Sequence, residues 1–283
     1  MISFAKRNLL IFFKDRTSVF FSLLAVFIII GLYALFLGDV WTNSLNIDGA
    51  RFLMDSWITA GLMAVVSVTT TMGAFGIMVE DKTKKIIKDF VSSPLKRTSI
   101  AGGYIISAYL IGIIMSLVTL VLAEIYVLAN GGALLSFLAF VKVFGVLLLS
   151  TFTNTSIMLF IVLFFSSNNA FSTASTIIGT IIGFLTGIYL PIGQLPNAVQ
   201  WVVKLFPPSH SAALFRQVMM EDPIAASFAG APEEVVMQFK ELMGIVYKIG
   251  DKEVSVMISI VILAVTGIVF FLLSLLKLSQ KKK

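Results

Sequence analysis

Residues Val79–Arg97 read VEDKTKKIIKDFVSSPLKR. This short stretch gathers lysines, an arginine and acids, yet the chain around it is 58% hydrophobic and only 13% charged. Apolar runs flank it on both sides, each long enough for the roughly 20 residues that cross a bilayer. The stretch is therefore a junction between two spans, and its charge marks a membrane surface. A mean hydropathy of +0.99 over 283 residues excludes an ordinary soluble domain. The net charge of +6 sits beside apolar segments and not along a polar or aromatic face, so nucleic acid is not an expected partner. The chain has no cysteine, which excludes disulfides, thiolate chemistry and cysteine metal sites, and its one histidine leaves almost nothing for a transition-metal site.

Working outward from the charged loop, six spans are expected: Thr17–Gly38, Ser56–Val79, Ser99–Ala129, Ser136–Phe165, Ser172–Leu190 and Val254–Leu276. The fourth and fifth divide at the polar, turn-forming Ser166-Ser167-Asn168-Asn169. The first apolar run follows a basic amphipathic stretch over residues 1–16 and lacks a small-residue cleavage pattern, so it reads as a span and not as a leader. Lysine and arginine distribution sets the orientation. Lys6, Arg7, Lys14 and Arg16, the quoted loop over 80–98, and Lys277 with the terminal Lys281-Lys282-Lys283 fall on one side, which is then the cytoplasm. The loop with Asp39, Asp48, Arg51 and Asp55 falls outside. The expected fold is an all-α polytopic membrane protein of one transmembrane domain, with both termini cytoplasmic.

The segment 191–253 is then external. Pro191, Pro196, Pro207 and Pro208 punctuate an apolar sequence that contains Trp201. A helix over Pro196–Phe206 is about 16 Å long, roughly half the hydrocarbon thickness. A second is expected to start at Ser209, and an amphipathic helix over Pro232–Tyr247. Two short apolar helices bounded by prolines read as a re-entrant hairpin, and a hairpin lying on the surface is the other reading.

Within the quoted stretch, Ile86, Ile87, Phe90 and Val91 fall on one stripe of a short helix, with Glu80 and Asp81 at its start, Lys88 nearer its end and Ser93-Pro94 as its stop. The physics leaves two readings open. One is a basic interfacial helix on anionic lipid; the other is a knob docked in a partner's groove.

The pattern of a charged helix, a Ser-Pro dipeptide and Lys-Arg leading into the third span resembles the coupling loop of type-2 ATP-binding-cassette exporter permeases. Phe12-Phe13-Lys14-Asp15-Arg16 resembles that family's elbow entry. Leu190-Pro191-Ile192, Leu195-Pro196, Phe206-Pro207-Pro208 and Leu214-Phe215-Arg216 resemble its external hairpin. The resemblance covers nearly the whole chain, in order. Many members carry Gly-Thr where Lys85-Ile86 stands here and an acid where Lys88 stands, a departure that concerns the subfamily and hence the substrate.

The resemblance implies a bacterial plasma-membrane permease that exports an amphipathic or lipid-like substrate, such as a drug or antibiotic peptide. The polysaccharide or lipid-linked glycan branch is the alternative. It implies that Lys84, Lys85, Ile86, Ile87, Lys88, Asp89, Phe90 and Val91 couple to a separate cytoplasmic ATPase. It also implies a second permease copy or sister, and a gating role for Arg216. No Gly-x-x-x-x-Gly-Lys-Ser/Thr run is present, so ATP and magnesium are expected in the partner and no cofactor in this chain. The chain is then not an enzyme, and no catalytic constellation is found in it.

Glu124 and Lys142 are the ionisable groups inside apolar runs, at the outer ends of spans joined by Asn130-Gly131-Gly132, where they are placed to meet. They read either as a structural ion pair or as a pathway element, the latter the centre of an ion-coupled transporter. Thr69-Thr70-Thr71 and Asn154 with Thr151, Thr153 and Thr155 read as close packing or as a lining face. A lipid-bound scaffold without transport is the remaining alternative; it would tolerate polar residues at Ile86, Ile87 and Phe90.

Overall fold

The computed structural model describes residues 1–280 except 39, 41, 43–46, 93, 94 and 251. The Ser93-Pro94 stop, Asp39 and the terminal lysines therefore lie outside the described residues. The chain opens with α1 (Ile2–Lys14) and turns at Asp15 into α2 (Arg16–Leu32), which continues as a π-helical turn over Tyr33–Leu37. Asp15 is what makes the turn. Its backbone is extended, and its carboxylate accepts from the N–H groups of Thr17 at 3.0 Å and Ser18 at 3.2 Å and from the Ser18 hydroxyl at 2.6 Å. These bonds satisfy donors that a helix start leaves orphaned. The Ser18 bonds hold the Asp15 carboxyl below its ordinary range.

Next comes α3 (Ala50–Thr83), whose 34 residues start six earlier than the span expected there. It is buried nearly all round, as a helix with apolar side chains on every face must be, and so forms the central post. Beyond α4 (Ile86–Ser92) lie α5 (Arg97–Ala129), α6 (Phe137–Val162) and α7 (Asn168–Leu185). Ser136 caps α6 through the Ala139 N–H, and Ser167 caps α7 through the Ala170 N–H. After a short 3₁₀ turn at Ile192–Gln194 come α8 (Asn197–Leu205), α9 (Pro207–Met219), α10 (Glu221–Ser227) and α11 (Glu233–Leu242). A two-stranded ribbon pairs β1 (Lys248–Ile249) with β2 (Lys252–Glu253) before α12 (Val256–Gln280).

Among the described residues, five helices are long and apolar enough to cross a membrane: the run Arg16–Phe36, α3, α5, α6 and α12. The protein is an all-α polytopic membrane protein built on them. At 18 residues, or about 27 Å, α7 is shorter than these and begins with polar residues. Around α3 pack α2, α5, α6, α7 and α9, and α12 lies along α6. Gly267 of α12 admits the Phe152 ring so closely that a Cβ there would stand 2.6 Å from it. Phe20, Phe21 and Phe27 of α2, Val121 and Ile125 of α5, and Met257, Val261 and Val265 of α12 face outward, which suits contact with lipid.

Two local expectations need correction. Glu80 and Asp81 do not begin the charged helix; they end α3, which runs to Thr83. The chain then breaks at Lys84-Lys85, with Lys85 at φ +62°, and restarts as α4. Likewise the second hairpin helix starts at Pro207 and not at Ser209. Proline fits the first helical turn because its missing N–H is an orphan there. The Ser209 hydroxyl donates back to the carbonyls of Val203 and Phe206 and does not cap.

Candidate functional site

The geometry around the quoted stretch starts from one buried acid. Asp81, on the last turn of α3, receives a two-pronged guanidinium from Arg7 of α1, Nη1 to Oδ2 at 2.7 Å and Nη2 to Oδ1 at 3.0 Å. The Tyr104 hydroxyl of α5 donates to Oδ2 at 2.5 Å. Arg7 also donates to the Asn8 side-chain oxygen, and Asn8 Nδ2 donates to the Ser107 hydroxyl at 3.3 Å. A forked arginine–carboxylate pair fixes orientation as well as distance. Its acid is buried, so removing one partner strands a charge, at a cost of about 3–5 kcal/mol.

The ring of Phe90 in α4 stands edge-on to Phe4 at 5.0 Å, and Phe4 stands edge-on to Tyr104 at 5.0 Å. The Arg7 guanidinium covers Phe90 at 4.9 Å from the ring centre. Gly103 of α5 makes room for this stack, since a Cβ there would meet the Phe4 ring at 2.6 Å. One joint thus ties α1, the end of α3, α4 and the start of α5.

Phe90 packs on the chain's own elbow helix, α1. Ile86 and Ile87 are half-buried, while Lys84, Lys85, Lys88 and Asp89 are exposed. Of Val91 only the helical backbone is described. Lys84 makes an exposed pair with Glu80, four residues back, which adds little. Phe4 and Tyr104 are not marked by the sequence, and Arg7 and Asp81 enter it only through orientation and the start of the charged helix. Phe4 and Arg7 are three apart on one helix face, and Asp81 follows Met78 at the same spacing on the inward side of α3. A helical plot finds those faces, but not the pairing across 74 residues.

At the far end of α3 sits a second buried charge. Arg216 of α9 is fully buried and lies over the Trp57 ring at 4.8 Å. Its Nη2 donates to the Gly187 carbonyl at 3.1 Å, while Nε and Nη1 have no hydrogen-bond partner among the described residues. Trp57 is held in turn by donation to the Met243 carbonyl at 2.8 Å. Arg216 turns inward, because α9 lies along Ala60, Met63 and Ala64 of α3 through Ala212, Phe215 and Met219. Pro191 precedes the 3₁₀ turn, Pro196 precedes α8, and Pro208 is buried in the first turn of α9. Trp201 is exposed on α8, with Lys204 5.8 Å from its ring centre.

Glu124 and Lys142 do not meet. Glu124 accepts from the Leu135 N–H at 2.9 Å, satisfying a backbone donor in the loop before α6. Lys142 pairs with Glu221 of α10 at 3.3 Å. Proximity in sequence suggests the pair, but Glu124 is taken by the loop that follows α5 and Lys142 by α10. In the middle of the bundle, Asn154 Nδ2 donates to the Ser67 hydroxyl at 2.6 Å, and Ser67 and Ser150 share a hydrogen bond of 3.0 Å, joining α3 to α6. Thr69, Thr70 and Thr71 hydrogen-bond back to their own helix, the packing reading of those hydroxyls.

Compared with known families, residues 46–276 match the model described as ABC-2 family transporter protein. A comparison with curated proteins finds no match. The match covers most of the chain, which belongs to the ABC-2 family of membrane transporter proteins. It is accordingly a non-catalytic transport component and not an enzyme.

Proposed function

We propose that the chain is the membrane-spanning half of an ATP-driven exporter, moving an amphipathic or lipid-like substrate outward with energy from a separate cytoplasmic ATPase. In this reading α7 is the fifth of six spans, both termini and α4 face the cytoplasm, and α8 with α9 forms a hairpin entering the outer leaflet. Permeases of this family typically pair with a cytoplasmic ATPase subunit and a sister permease, and two such halves would enclose the pathway. The drug or antibiotic-peptide branch is favoured over the glycan branch by the Phe12–Arg16 entry.

The observation that carries the proposal is the joint at Asp81. A push on α4 reaches α1, α3 and α5 together through Phe90, Arg7 and Tyr104, so force applied at one short helix moves three longer ones. A helix that served only to touch lipid has no need of so many ties. The exposed Lys84, Lys85, Lys88 and Asp89 are then the face offered to the ATPase, and ion pairs at its rim set the register.

Affinity capture of the tagged chain from native membranes in mild detergent tests this. The wild type should bring down a stoichiometric ABC ATPase, and Lys85→Glu with Lys88→Glu should lower its recovery at least about tenfold without changing membrane insertion, by reversing rim charges. Undiminished recovery from the double variant would remove α4 from the docking surface. The ion-coupled transporter is the weaker reading, since Glu124 and Lys142 bond elsewhere.

A further inference from the structure

A cavity of about 790 Å³ opens between α6, α9 and α12, closed on one side by α10, α11 and the loop before the ribbon. That is the size of a pocket for a drug-sized ligand. Its wall is apolar along Val146, Leu149, Leu214, Val218, Val256 and Ile260. Its polar groups gather at Lys142, Glu221, Lys240 and Gln217. Two lysines stand there against one glutamate. Lys142 already shares Glu221, and Lys240, half-buried on α11, has no ion pair among the described residues. Gln217 donates its amide N–H to the Ile245 carbonyl at 2.7 Å, while its buried oxygen Oε1 has no partner among the described residues. A buried acceptor left open implies a donor from water or from a ligand.

We infer that this cavity binds an anionic amphiphile, with its headgroup phosphate or carboxylate at Lys142 and Lys240, a headgroup hydroxyl donating to Gln217, and its acyl chain along Val146, Leu149 and Ile260. The site names the chemistry of the exporter's cargo or of a lipid that attends it, and its place near the outer end of the spans rests on the orientation given under Proposed function. The headgroup contacts are charge-assisted and therefore stronger than neutral ones. Glu221 opposes the ligand, since it competes for Lys142 and repels the anion.

Native mass spectrometry of the purified full chain, offered phosphatidylglycerol and phosphatidylcholine in equal amounts, tests this without any ATPase. Its failure is thus separate from failure of the capture experiment. Wild type should prefer phosphatidylglycerol, and Lys142→Met with Lys240→Met should cut that preference about tenfold, the scale of a lost hydrogen bond to charge. Glu221→Gln should strengthen phosphatidylglycerol binding, a gain that a merely structural carboxylate would not give. Val146→Trp, which fills the apolar wall, should weaken both lipids. An unchanged preference in the lysine double variant, weaker binding in Glu221→Gln, or competition by soluble glycerol 1-phosphate at the concentration where the lipid competes would each overturn the assignment.

Discussion

The two ends of α3 hold two buried charges in opposite circumstances. Asp81 has every need met, by a forked guanidinium and a phenol. Among the described residues, Arg216 has one carbonyl, the face of Trp57 and two idle nitrogens. The first arrangement is a joint, stable only as built. The second leaves a cation short of partners in one packing of α9 on α3, and such a group favours any other arrangement that supplies them. On the exporter reading, force enters at the satisfied end and conformational freedom is kept at the unsatisfied one.

The comparison breaks most visibly at Asp81. Asp81→Ala should cost about 3 kcal/mol, at the lower end for a severed buried pair because Arg7 is partly exposed, and a thermal melt of the purified chain would read it. It should also free α1, so that limited proteolysis cuts at the Lys14–Arg16 elbow. Arg216→Met should go the other way. Exchanging an unpaired buried cation for an apolar chain of similar length should be neutral or stabilise by about 1–2 kcal/mol, while substrate-stimulated ATP hydrolysis by the assembled transporter falls. A destabilisation as large as that of Asp81→Ala would mean the two ends do not differ.

A smaller gain is expected at the break before α4. Lys85 sits at φ +62°, where a side chain crowds its own backbone. Lys85→Gly should stabilise by about 0.5–1 kcal/mol after the extra freedom of the unfolded glycine is counted. Glu80→Gln should leave the melt unchanged, because its pair with Lys84 is exposed and local.

Much of the fold was legible because bilayer-spanning helices announce themselves by length and hydropathy, and the break before α7 by the polarity of Ser166–Asn169. The quoted loop was legible as a junction between two such helices for the same reason. Its internal structure was not. Continuous helical periodicity from Glu80 to Val91 conceals a break that has no glycine to mark it. The stripe of Ile86, Ile87 and Phe90 looks alike whether a partner or the chain's own α1 covers it. Side-chain partners were the least legible feature. Arg7 and Asp81 meet across 74 residues, and Glu124 prefers a backbone N–H of the following loop to the lysine drawn for it. The buried position of Arg216 depends on α9 lying against Ala60–Ala64 of α3, a packing that hydropathy does not encode.

The absence of native cysteine offers a direct test of what α4 touches. A single Lys88→Cys, carrying a benzophenone maleimide and illuminated in native membranes, reports the molecule nearest the exposed face. Adducts to a cytoplasmic ATP-hydrolysing subunit, lost when Lys85→Glu is added, are the predicted result. Labelling of lipid alone, with no protein adduct, would contradict the coupling role and leave α4 an interfacial anchor.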